Sequence, residues 1–226
     1  MDQGAAAVET QISSRGSLAI VSAMEVAVVF AGILLYIWRW QHSWPHAWMG
    51  LWALILASHV WHRDTWRTLG LASAGFRSSA QWVWPLAVVV YLPILFYGFA
   101  DHHLTLLRPA WKSLLLLLGY GSWCAFQQYL AQSYFNNRLM GIIRNRHLTS
   151  ALTGIMFGAT HIPNLILVVA TLVAGYVFAE VFARYRNIWP LAVAQAVGGL
   201  LIAAVAPDAL IHHMRVGPSY LFYGIR

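Results

Sequence analysis

Charge is what this sequence has least of. Only 9% of its 226 residues are Asp, Glu, Lys or Arg, while 60% are hydrophobic. A soluble domain carries about 25% charged residues, so the deficit excludes an ordinary soluble globule. Cysteine is almost absent too. The single Cys124 lies in an apolar run, which excludes an intramolecular disulfide and any CxxC redox or metal motif and leaves an inert buried thiol. There is no Gly/Ser linker, no low-complexity tract and no clear internal repeat. What the chain has instead is apolar runs of membrane length, 12 Trp and a positive mean hydropathy. These predict an all-α polytopic integral membrane protein, with 1–226 as one membrane domain.

The apolar runs fall roughly at 18–38, 47–62, 81–100, 112–137, 149–161, 163–183 and 188–206, about seven spans in a range of six to eight. Residues 1–17 read as a polar tail and 207–226 as a C-terminal tail. The first run is too long for a signal peptide and lacks a basic start, so it reads as a retained span. The net charge of +7 does not need a nucleic acid to explain it, because basic loops orient membrane spans. With the N-terminus inside a plasma (cytoplasmic) membrane, Arg15, Arg63, Arg67, Arg77, Arg138, Arg144, Arg146, Arg184 and Arg186 fall on the inner side. The smaller group of Arg39, Arg108, Lys112, Arg215 and Arg226 falls outside. Trp38, Trp48, Trp61, Trp82, Trp111 and Trp189 sit near span ends, as an interfacial belt does. The first partner is therefore the lipid bilayer, with no nucleic acid.

Polar side chains inside such runs carry the functional signal, because they cost free energy in lipid unless they face protein or water. In the fourth span Gln128, Gln132 and Asn136 recur every four residues and share a helical face, with Gln127 beside it. Amides so placed either glue helices together or line a cavity. The fifth span ends in Phe157 and His161, four apart, before the helix-breaking Pro163. The seventh holds Gln195 and a Gly198-Gly199 pair that admits a close neighbour. Glu25 stands in the first span with no partner to assign to it. Glu180 precedes Arg184 by four residues, the spacing of an interfacial ion pair.

From about Ala110 to Val205 these residues resemble the CPBP intramembrane metalloproteases, which include the type II CAAX prenyl endopeptidases and the Abi-like bacteriocin-processing proteins. The family's EExxxR pattern falls on Gln127-Gln128-Tyr129-Leu130-Ala131-Gln132. FxxxH is intact as Phe157-Gly158-Ala159-Thr160-His161. HxxxN falls on Gln195-Ala196-Val197-Gly198-Gly199. HIPN after the second motif, Gly175, the RYRNIWPLAVA stretch and Thr68-Leu69-Gly70-Leu71 upstream are also similar. The resemblance implies a CPBP-like core over 110–206, a zinc held by Glu and His, and a metal-activated water. It carries the catalytic positions onto Gln127, Gln128, Gln132, His161 and Gln195, and a metal onto His161.

This chain departs from the pattern at each charged position. Catalytic zinc generally takes three ligands from His, Asp, Glu or Cys, and a neutral amide cannot serve as a general base. The expectation is a degenerate homologue whose cleft binds a membrane peptide, a prenylated or lipid ligand, or a protein partner. Zinc belongs to it only if the family's activity is retained. Two alternatives stand beside this: an active metalloendopeptidase with altered ligands, and a small transporter whose amides line a polar path. A further pooling of His42, His46, Asp101, His102, His103, His161, Asp208, His212 and His213 on one side of the membrane is compatible with metal or proton binding, with Asp208 and His212 sharing a helical face.

Overall fold

In hydrocarbon every backbone N–H and C=O must find its partner within the chain, which leaves the helix as the local solution for a sequence of apolar runs. The computed structural model describes the backbone of residues 3–100 and 110–224, and the side chains of 18–100 and 115–224. The described residues form helices and no strands. Helix α1 (Gln3–Leu35) continues through a wide π-helical turn (Tyr36–Trp40) to Ser43. Then come α2 (Ala47–Trp61) and α3 (Phe76–Ala100). Helix α4 (Ala110–Gln128) runs on through a π-helical stretch (Tyr129–Asn136) and a last helical piece (Asn137–Ile142). Helices α5 (Arg146–Ala159), α6 (Leu165–Tyr185) and α7 (Trp189–Val205) follow, with two short pieces, α8 (Asp208–Ile211) and α9 (Pro218–Leu221), at the end.

Leu18–Ser43, Phe76–Ala100 and Leu165–Tyr185 are long and apolar enough to cross a membrane. Ala47–Trp61 and Trp189–Val205 are apolar but shorter. At 1.5 Å per residue they span less than the ~30 Å of hydrocarbon in a typical bilayer. The outward faces carry large bare side chains, among them Phe96 at 74% and Leu165 at 71% exposure. Such surface is stable against lipid and not against water. Trp38, Trp48, Trp61, Trp82 and Trp189 are all exposed, as interfacial residues must be. Helix α1 is already helical at Gln3, within the region read as a polar tail, where Ala5, Ala6 and Ala7 favour helix.

Helices α5 and α6 form the tightest pair. Gly154 on α5 meets Gly175 on α6, Gly158 packs against Val168 and Leu172 of α6, and a Cβ on Gly154 would lie 2.7 Å from the Leu172 carbonyl oxygen. This is the small-xxx-small packing of membrane helices. The loop between α2 and α3 is held just as firmly. Asn187, fully buried, donates to the carbonyls of Ala72 (2.8 Å) and Ala74 (3.1 Å). Ser133 donates to Leu69 O at 2.5 Å and Asn137 to Thr68 O at 2.9 Å. Gly70 sits at φ +70°, and a Cβ there would strike the Phe182 ring. The Thr68–Leu71 element is thus a docking strap across the ends of α4, α6 and α7.

Three charged residues sit differently from the sequence reading. Glu25 has partners: His62 Nε2 donates to it at 2.9 Å and Arg138 Nε lies 3.4 Å away. Arg138, read as a loop cation, is only 4% exposed and also donates to Asp64 at 2.7 Å and to Ser58 at 2.9 Å. Glu180 pairs with Arg146 (2.9 Å) and His147 (3.0 Å) across α5 and α6, and not with Arg184. Helix packing brings these together over long sequence separations, which local spacing does not register.

At the opposite end, Gly217 N donates to Ile162 O at 2.9 Å, and a Cβ on Gly217 would lie 2.8 Å from Ile37. The C-terminal segment therefore folds back over the ends of α1 and α5. Asn164 of the HIPN run, fully buried, holds it there by donating to Ile211 O (2.8 Å) and Arg215 O (3.2 Å). The same side chain caps α6 by accepting from Leu167 N. The side chains of Arg15, Trp111 and Lys112, and residues Asp101, His102, His103, Arg108 and Arg226, lie outside the described residues.

Candidate functional site

The amides of α4 and α7 meet. Asn136 Nδ2 donates to Gln132 Oε1 at 3.1 Å, Gln132 Nε2 to Gln128 Oε1 at 3.3 Å, and Gln128 Nε2 to Gln195 Oε1 at 2.7 Å. Gln195 Nε2 in turn donates to Gln127 Oε1. Gln128, Gln132 and Asn136 are fully buried, while Gln127 and Gln195 are half-buried. The stripe predicted from the sequence is therefore one continuous relay. It begins deep in the bundle and crosses from α4 to α7. It ends at Gln127 in the wall of a large cavity among α1 to α7, about 1270 Å³ in volume.

His161 lines the same cavity but does not join the relay. Its Nδ1 lies 2.8 Å from the Phe157 carbonyl oxygen. A carbonyl only accepts, so Nδ1 carries the proton and Nε2 of the neutral ring is an acceptor. The Phe157 ring stands edge-on to the imidazole at 5.1 Å between centroids. The FxxxH spacing thus fixes both the tautomer and the tilt of the histidine.

That tautomer is the one in which Nε2 of a histidine can hold a metal, but the other donors do not fit. The relay offers neutral amides already committed to one another, and zinc wants three ligands of the His, Asp, Glu or Cys type. Among the described residues no three such side chains converge. Among the described residues the cavity lining contains no Asp, Glu, Lys or Arg.

Gly198 and Gly199 admit side chains rather than a helix backbone. A Cβ on Gly199 would lie 2.0 Å from Tyr120 Oη, and one on Gly198 would lie 2.9 Å from Tyr91 Oη. The place where the family pattern has asparagine is thus filled by a tyrosine from α4. Gly199→Ala is expected to cost about 1–3 kcal/mol through overpacking. Tyr120→Phe in the same chain should recover most of it, read as paired thermal melts in detergent.

The pooled histidines separate. His42 and His46 are exposed and His161 lines the cavity. Asp208 bonds His213 and Tyr223, not His212. Its short helix ends at Ile211 and the chain turns left-handed at His212 (φ 45°), so four-residue spacing no longer describes one face. His212 instead stacks on Tyr220, with ring centroids 4.0 Å apart. The hydrogen bond from Tyr223 holds the exposed Asp208 carboxyl below its ordinary value, with a further contribution from His213. Met214 and Val216 of this tail line the cavity, a role with no signal in the sequence.

A bundle that includes three helices long and apolar enough to cross a membrane, around an apolar cavity with a polar relay ending in its wall, defines the class: a helical membrane protein with an internal cavity. Residues 109–201 match the family model described as Type II CAAX prenyl endopeptidase Rce1-like. That match covers under half of the chain, and over that stretch it supports a likeness to the CPBP/CAAX proteases. The matched stretch contains the whole relay, His161 and Gly199, and leaves Glu25, His59 and Asp64 outside. No curated protein and no solved structure matches the chain.

Proposed function

We propose that this chain is a degenerate CAAX-protease-like protein whose intramembrane cleft binds a ligand without hydrolysing a peptide bond. The observation that supports this is the continuous amide relay. Where the family pattern has two carboxylates and a second histidine, this chain has Gln127, Gln128 and Gln195 hydrogen-bonded to one another. An amide bonded in this way has no lone pair of useful basicity, so it neither activates water nor binds zinc well. His161 remains as a single acceptor in the wall. The Arg-rich α2–α3 and α6–α7 loops fit an inner side at that end, with the N-terminus inside a plasma membrane.

Metal analysis and a peptidase assay on the purified full chain test the reading. The expected result is sub-stoichiometric zinc, unchanged by His161→Ala, and no cleavage of a farnesylated CAAX peptide. Stoichiometric zinc that disappears in His161→Ala, together with cleavage, would overturn it. Alternating or facilitated solute flux in liposomes that Gln128→Leu abolishes would move the assignment to a transporter.

A further inference from the structure

The relay has a direction, and the direction identifies what the cavity recognises. Asn136 Nδ2 lies 3.3 Å from the Ala179 carbonyl oxygen. That oxygen can only accept, so the NH₂ of Asn136 must face it and its neighbour Gln132 Oε1. Each later amide is then forced to follow. Gln132 uses its oxygen toward Asn136 and its nitrogen toward Gln128. Gln128 does the same toward Gln195, and Gln195 toward Gln127. The oxygen of Gln127 is consumed, and its NH₂ has no protein partner among the described residues. A backbone carbonyl on α6 thereby fixes an N–H donor in the cavity wall four side chains away.

The Phe157 carbonyl fixes the complement. It holds the proton of His161 on Nδ1 and leaves Nε2 as an acceptor in the same cavity. Other hydroxyls of the wall are spent on backbone carbonyls. Thr153 donates to Thr149 O and Thr171 to Leu167 O within their own helices, and Tyr91 of α3 donates to Ala194 O of α7. With no charged side chain among the described residues of the lining, an ionised head group would enter without a counter-charge from them.

Resting on the reading of a non-hydrolytic cleft, we propose that the occupant is a neutral acyl lipid. Its ester or amide carbonyl accepts from Gln127 and its hydroxyl or N–H donates to His161. A polypeptide is the poorer fit, because each residue brings an N–H and a C=O that this wall cannot satisfy. The cavity, at about 1270 Å³, is also larger than the 300–1,000 Å³ usual for small-ligand sites, and a long acyl chain would use that space.

Two lipids that differ only in the carbonyl make the test: monooleoylglycerol and its oleyl ether, titrated against the full chain in detergent micelles. The ester should bind roughly tenfold more tightly than the ether, the effect of one desolvated hydrogen bond. Gln127→Glu keeps the acceptor for Gln195 but loses the donor, and should bring ester and ether to equal affinity. Gln127→Leu should do the same, and gel filtration of both variants reports their folding. Equal binding of ester and ether by the unaltered chain would overturn the proposal without help from any variant. An S-farnesyl tetrapeptide that binds more tightly than the ester, uncleaved, would overturn the lipid assignment and leave the binding cleft standing. Cleavage of that peptide would instead overturn the non-hydrolytic reading itself.

Discussion

Replacing Arg138 by leucine is expected to destabilise the protein by about 3–5 kcal/mol, the cost of leaving a buried ion pair half-made. The guanidinium is 4% exposed and its carboxylate partners Asp64 and Glu25 are 11% and 20% exposed. It joins α1 to the end of α4 and to the α2–α3 loop. His59 donates to Asp64 at 2.7 Å and His62 to Glu25 at 2.9 Å. Without Arg138 two carboxylates remain near one another with only histidines to balance them. The double variant Arg138→Leu with Asp64→Asn should be less damaged than the single, because one stranded charge has gone. Thermal melts of the four chains in one detergent give the coupling directly.

The same pair sets an acid limit. Burial pushes the Asp64 carboxyl up, but hydrogen bonds from His59 and Arg138 and the charge of Arg138 outweigh it, so the group ends below its ordinary value of 3.8. A carboxyl depressed on folding adds stability that is complete above the unfolded value. That stability drains away as pH falls through the lower folded one. Melting temperature should therefore fall as the pH drops below about 4, and Asp64→Asn should flatten that dependence while lowering stability at neutral pH.

Gln128→Leu is expected to cost about 2–4 kcal/mol, the penalty for leaving the Gln132 donor and the Gln195 acceptor unmatched. The position is fully buried and sits in the middle of the relay. Gln127→Leu, at the cavity end, removes one acceptor from a half-buried partner and should cost about 1 kcal/mol. That ordering is the informative readout. Helix glue alone predicts a loss set by burial, whereas a directional relay predicts that Gln128→Leu and Gln132→Leu combine to less than their sum. Once either is gone, the other has already lost a partner. Unfolding in a denaturing detergent titration measures all three.

Much of the site was legible because the chemistry of lipid makes it so. A glutamine in an apolar run must be answered by protein or water, so Gln128, Gln132 and Asn136 announced a polar path before any packing was known. The four-residue spacing of Phe157 and His161 likewise anticipated the edge-on contact of their rings. Glu25 was legible as a problem and not as a solution, since its partners His62 and Arg138 come from other helices.

Sequence alone determined the all-helical membrane architecture, through the scarcity of charge and the length of the apolar runs. It also put amides at Gln127 and Gln128, where the pattern it resembles has carboxylates, since residue identity needs no fold. Tertiary structure decided what the remaining amides do. Which way each glutamine points depends on the Ala179 carbonyl, and which nitrogen of His161 carries the proton depends on the Phe157 carbonyl. The first is a contact between helices separated by more than forty residues. The second needs the backbone to be helical before it exists. A hydrogen bond has a donor and an acceptor end, and only the packed neighbours choose between them.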